Sequence, residues 1–485
     1  ARNSRGFVHI CQDTRKEASQ HFSVSAFQHS APIKTGEIIQ EGHGLDAVHS
    51  SVMTSLIRAT VFHTPKNPFR EQDALETFAD GALVFENDTI LSVGDYATLR
   101  GQFPDAVVLE YKNAFLLPGF VDTHVHYPQV PIIGAMGLRL MEWLETRTLP
   151  EEAKLSDATY ARKQAKTFLR QLAKNGTTTA LVFGAHFARA MEVFFEEAEK
   201  SGLRITAGLV LGDRNLKDEL HTTPERAFAE SLELAQKWHD KGRLRYAVTP
   251  RFSVSCSEAL LKTCGDLLAD SPDLFFTSHI NEQLEEISFV KTLFPDCKDY
   301  LETYERYNLV NRRSVYAHDV HPSDSELSRL ARHEASVSHC ASSNMFIGSG
   351  LFPMQKHLQH GVHFALGSDV GGGTGFSLFK EGLNAYEHQM LLQNEGYPLT
   401  ATHLLYLATL AGAKALDLEQ QIGDFTPGKQ ADFIVVKAPR GSTLEATLQH
   451  SPSADATLAA LFTLAREDCV EATFVGGEKL NEYHQ

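Results

Sequence analysis

The chain has 485 residues, 42% hydrophobic and 22% charged, the proportions of a globular protein able to bury a large core. Its formal net charge is -16 with no long Lys/Arg run, which excludes the concentrated basic surface that nucleic-acid binding needs. No apolar stretch reaches the roughly 18 residues of a membrane span, and six scattered cysteines with no Cys-x-x-Cys pair point to a reducing, cytoplasmic setting.

Residues 1–52 are rich in Ser, His and Gln and lack apolar periodicity. Two readings fit: extraneous or upstream sequence ahead of a natural start at Met53, or a disordered extension or transit peptide. No apolar core of a signal peptide is present. From 53 to 117, short β-rich runs alternate with turn signals: SLIRATVF, GALVFEN, TILSVG and AVVLEY. The texture returns over 418–485 in DFIVVKA and VEATFVGGEKL, so the two ends are predicted to form one composite β-sandwich domain.

Between them, residues 118–417 read as eight strand-then-helix units. The strands are FLLPGFVDTHVH (its first residues overlapping the sheet region), TTTALVFG, RITAGLVLG, LRYAVTPRFS, LFFTSHINE, SVYAHDV, ASVSHCASS and VHFALGSDVGGG. Each is nearly continuously apolar, as a doubly covered parallel strand should be. Amphipathic segments follow at 156–175, 187–201 and 224–242, and after the last strand at 377–393 and 399–416. Eight such units predict an α/β fold, a (β/α)8 TIM-type barrel. Right-handed crossovers bring all strand ends to one mouth, where barrel sites lie. His124, His126, Arg251, His279, His318 and Asp369 all close apolar runs there.

On a strand, residues i and i+2 project the same way, so His124 and His126 can enter the mouth together and suit a metal such as zinc. Alone, such a pair is weak among 23 histidines. A lone strand-end histidine is more often a satisfied core residue, and an Asp before glycines is often a turn residue. Their convergence on one face of one barrel favours a site.

With these residues in place, the chain resembles the amidohydrolase superfamily, whose members carry His-x-His after strand one, a His after strands five and six, and an Asp after strand eight. PGFVDTHVH, SHINE, AHDV and LGSDVGGG match. The resemblance implies one divalent metal on His124, His126, His279 and Asp369, zinc first, with iron(II) or manganese(II) also accommodated. His318 would contact the substrate or support the metal. Strand four ends in Arg251 rather than a lysine, which favours a mononuclear site. In the deaminase branch His-x-x-Glu is the acid/base element, which places Glu282 as proton shuttle; read alone, Glu282 is equally a helix N-terminal carboxylate. Asp369 would orient or deprotonate the water. The unrelated zinc deaminases with His-x-Glu and Pro-Cys-x-x-Cys are excluded, because neither pattern occurs.

Within the superfamily the likeness is closer to the guanine deaminases, over most of residues 54–480. It rests on His124-x-His126-x-x-Gln129, Met141-Glu142-Trp143-Leu144, Thr249-Pro250-Arg251-Phe252-Ser253, Ser278-His279-Ile280-Asn281-Glu282, His339-Cys340-x-x-Ser343-Asn344 and Asp369-Val370-Gly371-Gly372. The chain departs at Ala341-Ser342, where the family usually has Pro-Asn or a similar pair. The resemblance implies hydrolysis of guanine to xanthine and ammonia in purine catabolism or salvage. Guanine presents O6 and N7 as adjacent acceptors, the edge that arginine reads bidentately. Arg251 is then the purine reader, Phe252 or Trp143 packs on the ring face, and Gln129 reads another edge. A homodimer is expected from the family. The alternatives are a deaminase of another aminated heterocycle (cytosine, triazine, pterin or an adenosine derivative) and a non-catalytic scaffold on the same barrel.

Overall fold

Alternating apolar residues and turn signals produce four strands at the start of the described chain, β1 (Thr54–His63), β2 (Glu76–Glu86), β3 (Thr89–Asp95) and β4 (Val107–Pro118). The computed structural model describes residues 53–480, so the reading of residues 1–52 falls outside it. Within the described residues the barrel strands follow: β5 (Phe120–His126), β6 (Thr177–Phe183), β7 (Arg204–Gly208), the two-residue β8 (Val210–Leu211), β9 (Leu244–Pro250), β10 (Phe275–Ile280), β11 (Ser314–His318), β12 (Ser336–His339) and β13 (His363–Leu366). The last three, β14 (Phe433–Lys437), β15 (Val470–Val475) and β16 (Glu478–Lys479), return to the first sheet.

That sheet has the order β16-β15-β14-β4-β1-β2-β3, so both ends of the described chain meet where β14 runs antiparallel to β4. One face collects Ile57, Val61, Leu83, Phe85, Phe433 and Phe474 into a core of its own. The barrel strands are parallel in the order β5-β6-β7-β9-β10-β11-β12-β13, with β8 pairing β9. Every residue of β5 and β6 is buried, as strands covered by helices on one side and packed side chains on the other require. Backbone bonds join the two ends of the row: Asp369 N donates to His124 O at 2.8 Å, and His126 N donates to Val370 O at 3.1 Å. The predicted barrel with a sheet built from both chain ends is what forms.

Several boundaries differ from the sequence reading. The first apolar run breaks at Gly119, with Phe115–Pro118 remaining in β4. A Cβ at Gly119 would meet the Thr178 side chain at 2.3 Å, so only glycine lets the chain pass between the two sheets here. In the seventh predicted strand only Ser336–His339 is extended, and Ala341–Phe346 is a helix. The expected helix over 399–416 is two, Ala401–Ala408 and Leu410–Ala415, parted at Thr409. The C-terminal β-rich stretch also carries helices Thr443–Leu448 and Ala454–Leu464. The second packs on helix Leu378–Leu391 with the Phe379 and Phe462 rings 5.3 Å apart. No helix among the described residues is long and apolar enough to cross a membrane.

Barrel and sheet are tied by a buried ion pair. Arg204 on β7 donates through Nε to Asp432 Oδ2 at 2.6 Å and through Nη2 to Oδ1 at 3.1 Å. Asp432 Oδ1 also accepts Gly476 N at 2.7 Å. Removing one partner strands a charge in the interior, so Asp432→Ala is expected to cost about 3–5 kcal/mol of stability. Chemical denaturation measures it, and a loss below about 1 kcal/mol, the range of an exposed pair, would show that the two bodies do not depend on this contact.

Candidate active site

The strand ends at the barrel mouth are bent to turn polar groups inward. Asn281, His318 and Asp369, which follow or end β10, β11 and β13, have φ of 50°, 76° and 47°. These are left-handed values that side-chain-bearing residues adopt at a cost, and such positions gather at functional sites. Beneath them the Asp122 carboxylate accepts the backbone N–H of His124 at 3.2 Å and of Ser368 at 3.0 Å, binding β5 to the turn after β13.

This scaffold brings all four expected ligands together. His126 Nε2 lies 3.1 Å from His124 Nε2 and 3.3 Å from His279 Nε2. Asp369 Oδ1 stands 3.2 Å from the Nε2 atoms of both His124 and His126. Donor atoms sharing one ion at about 2.0–2.1 Å stand about 3 Å apart, so the spacing fits a single divalent metal. Ligand atoms of His124, His279, His318 and Asp369 also lie within 4.8 Å of one another, which draws His318 into the same cluster. His318 is nevertheless the outlying member, with Nε2 3.9 Å from Asp369 Oδ2 and 3.5 Å from Glu282 Oε2.

The protonation states agree with a metal site. His279 Nδ1 donates to Arg251 O at 2.6 Å, leaving its Nε2 a bare lone pair, and His318 Nδ1 lies 2.9 Å from Asn344 Oδ1. Burial drives the His124 imidazole down to about 3 and holds His279 well below its ordinary range, so both rings are neutral, as ligation requires. Burial opposes the charge on Asp369, but the imidazoles of His124 and His126 outweigh it and keep the carboxyl well below the usual range. Glu282 is the reverse case: burial, and then the nearby Asp369 charge, push it up to about 8. Two neighbouring carboxyls thus sit in opposite states near neutral pH, one a base and one an acid.

Above the cluster opens a small cavity. Leu140, Trp143, Leu144, Phe252 and Ile347 supply its apolar wall, and Gln129, Arg251, Glu282, His318 and Asp369 its polar one. Every residue expected to touch a substrate lines this space. Arg251 is 3% exposed, its Nη1 donating to Glu152 Oε2 at 2.6 Å. Gln129 Nε2 donates to Glu152 Oε1 at 2.9 Å, and Gly371 N donates to Gln129 Oε1 at 3.1 Å.

Glu152, His186 and Asn344 were given no role in the sequence reading. His186 follows β6, so the strand-end pattern that singled out His279 and His318 marks it too. Glu152 sits in a polar helical stretch with nothing to distinguish it from a solvated carboxylate. Asn344 belongs to a quoted motif, yet only the fold shows that it orients His318. At the Ala341-Ser342 departure, Ser342 N donates to Glu381 Oε2 at 2.8 Å and Ser342 Oγ accepts Thr374 N at 3.1 Å, which holds the helix that carries Asn344.

Comparison with known proteins agrees with this geometry. The amidohydrolase family model matches residues 115–480. A probable guanine deaminase of Deinococcus radiodurans is 57% identical over 427 residues, covering 87% of this chain and 97% of that protein. The solved guanine deaminase of E. coli superposes with a TM-score of 0.83 at 36% identity, covering 88% of this chain and 98% of that one. That of C. acetobutylicum, with guanine bound in its active site, superposes at 0.81 with 27% identity, covering 88% and 99%. The chain therefore belongs to the amidohydrolase family and, within it, to the guanine deaminases.

Proposed function

We propose that the chain hydrolyses guanine to xanthine and ammonia, with one zinc ion per chain held by His124, His126, His279 and Asp369. Iron(II) and manganese(II) suit the same donors. The observation that carries this reading is the meeting, around one cavity, of the histidine–aspartate cluster, the protonated Glu282 and the Arg251 guanidinium. When bound, the metal supplies a water whose pKa falls toward neutrality.

The residues then divide the proton work. Asp369, ionised, takes a proton from the water as its oxygen bonds to C2 of guanine. The C2=N3 electrons move to N3, which takes the proton of Glu282. The Asp369 proton passes to the amine, the C2–N bond breaks, and ammonia leaves. Glu282 recovers a proton from the C2 hydroxyl as it becomes the xanthine carbonyl. His318 lies between the two carboxyls, its ring fixed by Asn344. Free N–H groups of Arg251 donate to O6 and N7 at the ring edge away from C2. Gln129 donates alongside, and Phe252 and Trp143 exclude water from the ring faces. A cytoplasmic location is consistent with the five described cysteines, all buried and unpaired. A homodimer is the expected assembly; Met390 and Leu391, 59% and 64% exposed on helix Leu378–Leu391, supply apolar surface for self-association.

The direct test incubates zinc-loaded protein with guanine and follows ultraviolet absorbance and ammonia. Xanthine and ammonia in equal amounts are expected; no turnover with metal confirmed in the site would refute the substrate. Glu282→Gln should keep its metal while kcat falls about 100- to 10,000-fold, and near-normal turnover would remove Glu282 from the proton path. His124→Ala should lose bound metal on dialysis; a fully metallated His124→Ala protein would dissolve the ligand set.

A further inference from the structure

We propose that Glu152 is a positioning residue that makes the purine-reading wall a donor-rich surface, so that the site selects an oxo over an amino group at the 6-position of the ring. The inference rests on the guanine reading above and assigns a role to a side chain outside the ligand and proton-transfer sets. Glu152, on helix Leu149–Ala153, is 2% exposed. Its Oε2 accepts from Arg251 Nη1 at 2.6 Å and lies 3.1 Å from His186 Nε2, and its Oε1 accepts from Gln129 Nε2 at 2.9 Å. Three donors from three separate segments therefore converge on one buried carboxylate.

The amide of Gln129 is pinned at both ends, because its oxygen is taken up by Gly371 N–H at 3.1 Å and one N–H by Glu152. What remains to face a ligand is mostly donors, the second amide N–H of Gln129 and the unused N–H groups of Arg251, while the one acceptor left, the second lone pair of the Gln129 oxygen, belongs to an atom already turned toward Gly371. An acceptor edge is satisfied there. An amino group in the same place sets donor against donor and leaves buried groups unpaired, the kind of mismatch that discriminates strongly. Glu152 also balances the Arg251 charge, so a neutral ring binds beside an ion pair rather than beside a lone buried cation. The charge on Glu152 is itself secured: burial opposes it, and the Arg251 guanidinium and then His186 outweigh burial and hold the carboxyl far below its usual range.

The test compares guanine with 2,6-diaminopurine, which keeps the 2-amino group and carries an amine in place of O6. In wild-type protein guanine is strongly preferred. In Glu152→Gln, Arg251 and Gln129 lose their common anchor, guanine KM rises more than kcat falls, and the kcat/KM preference for guanine drops about tenfold or more. Metal content stays at the wild-type level. Equal losses on the two substrates, or an unchanged preference, would overturn the role. Should Glu152→Gln fail to fold, His186→Leu removes one donor and leaves the charge in place. It is expected to lower the preference in the same direction by about threefold, and no change in it overturns the role equally. Wild-type protein inactive on guanine would overturn the substrate reading, and this inference with it. Active wild-type protein with unaltered preference in the variants would overturn the role of Glu152 alone.

Discussion

The site depends on the closure of the barrel. Where β5 meets the turn after β13, Asp369 N donates to His124 O and His126 N donates to Val370 O. The same two bonds that complete the parallel sheet fix three expected metal ligands relative to one another, and Asp122 reinforces the seam from below by accepting the N–H groups of His124 and Ser368. A ring of strands with a gap here would keep its hydrophobic core, yet the carboxylate and the paired imidazoles would no longer be held to tenths of an ångström. Precision of that order is what catalytic positioning demands.

Electrostatics does the remaining sorting. The mouth holds several buried carboxyls in one small volume, where like charges cannot all ionise. Asp369 keeps its charge because imidazoles surround it, and Glu152 because a guanidinium faces it. Glu282, which has only Ser349 Oγ at 3.2 Å and the more distant His318, takes up a proton instead. Base, anchor and acid are thus one functional group, a carboxyl, in three surroundings, and the surroundings are set by which strand end lies opposite.

How far the sequence could be read follows the range of the interactions. The eight apolar runs, the i, i+2 pair His124 and His126, and the strand-end positions of His279, His318 and Asp369 are local patterns; each run contains a barrel strand, although the first is shared with β4 and the seventh ends in a helix. Glycine 119 hid a boundary because apolar residues flank it on both sides, so β4 and β5 read as one run. The helix Ala454–Leu464 escaped notice because its apolar residues satisfy a helix packed on the barrel as well as a strand. Glu152 was illegible for a deeper reason: its significance lies in Arg251, His186 and Gln129 arriving from elsewhere in the chain, and no spacing near residue 152 records that.

The meeting of β4 with β14 sets an order on biosynthesis. Pro118 lies opposite Phe433, so the sheet that receives the earliest described strands stays open along β4 until the whole barrel has left the ribosome. During that interval β4 offers an unpaired edge of Ala114, Phe115, Leu116 and Leu117, the kind of edge that invites pairing with other chains. The nascent protein therefore carries this open edge through the synthesis of the whole barrel, until β14 emerges to cover it. Chaperone demand should follow the arrival of β14 rather than the completion of the active site.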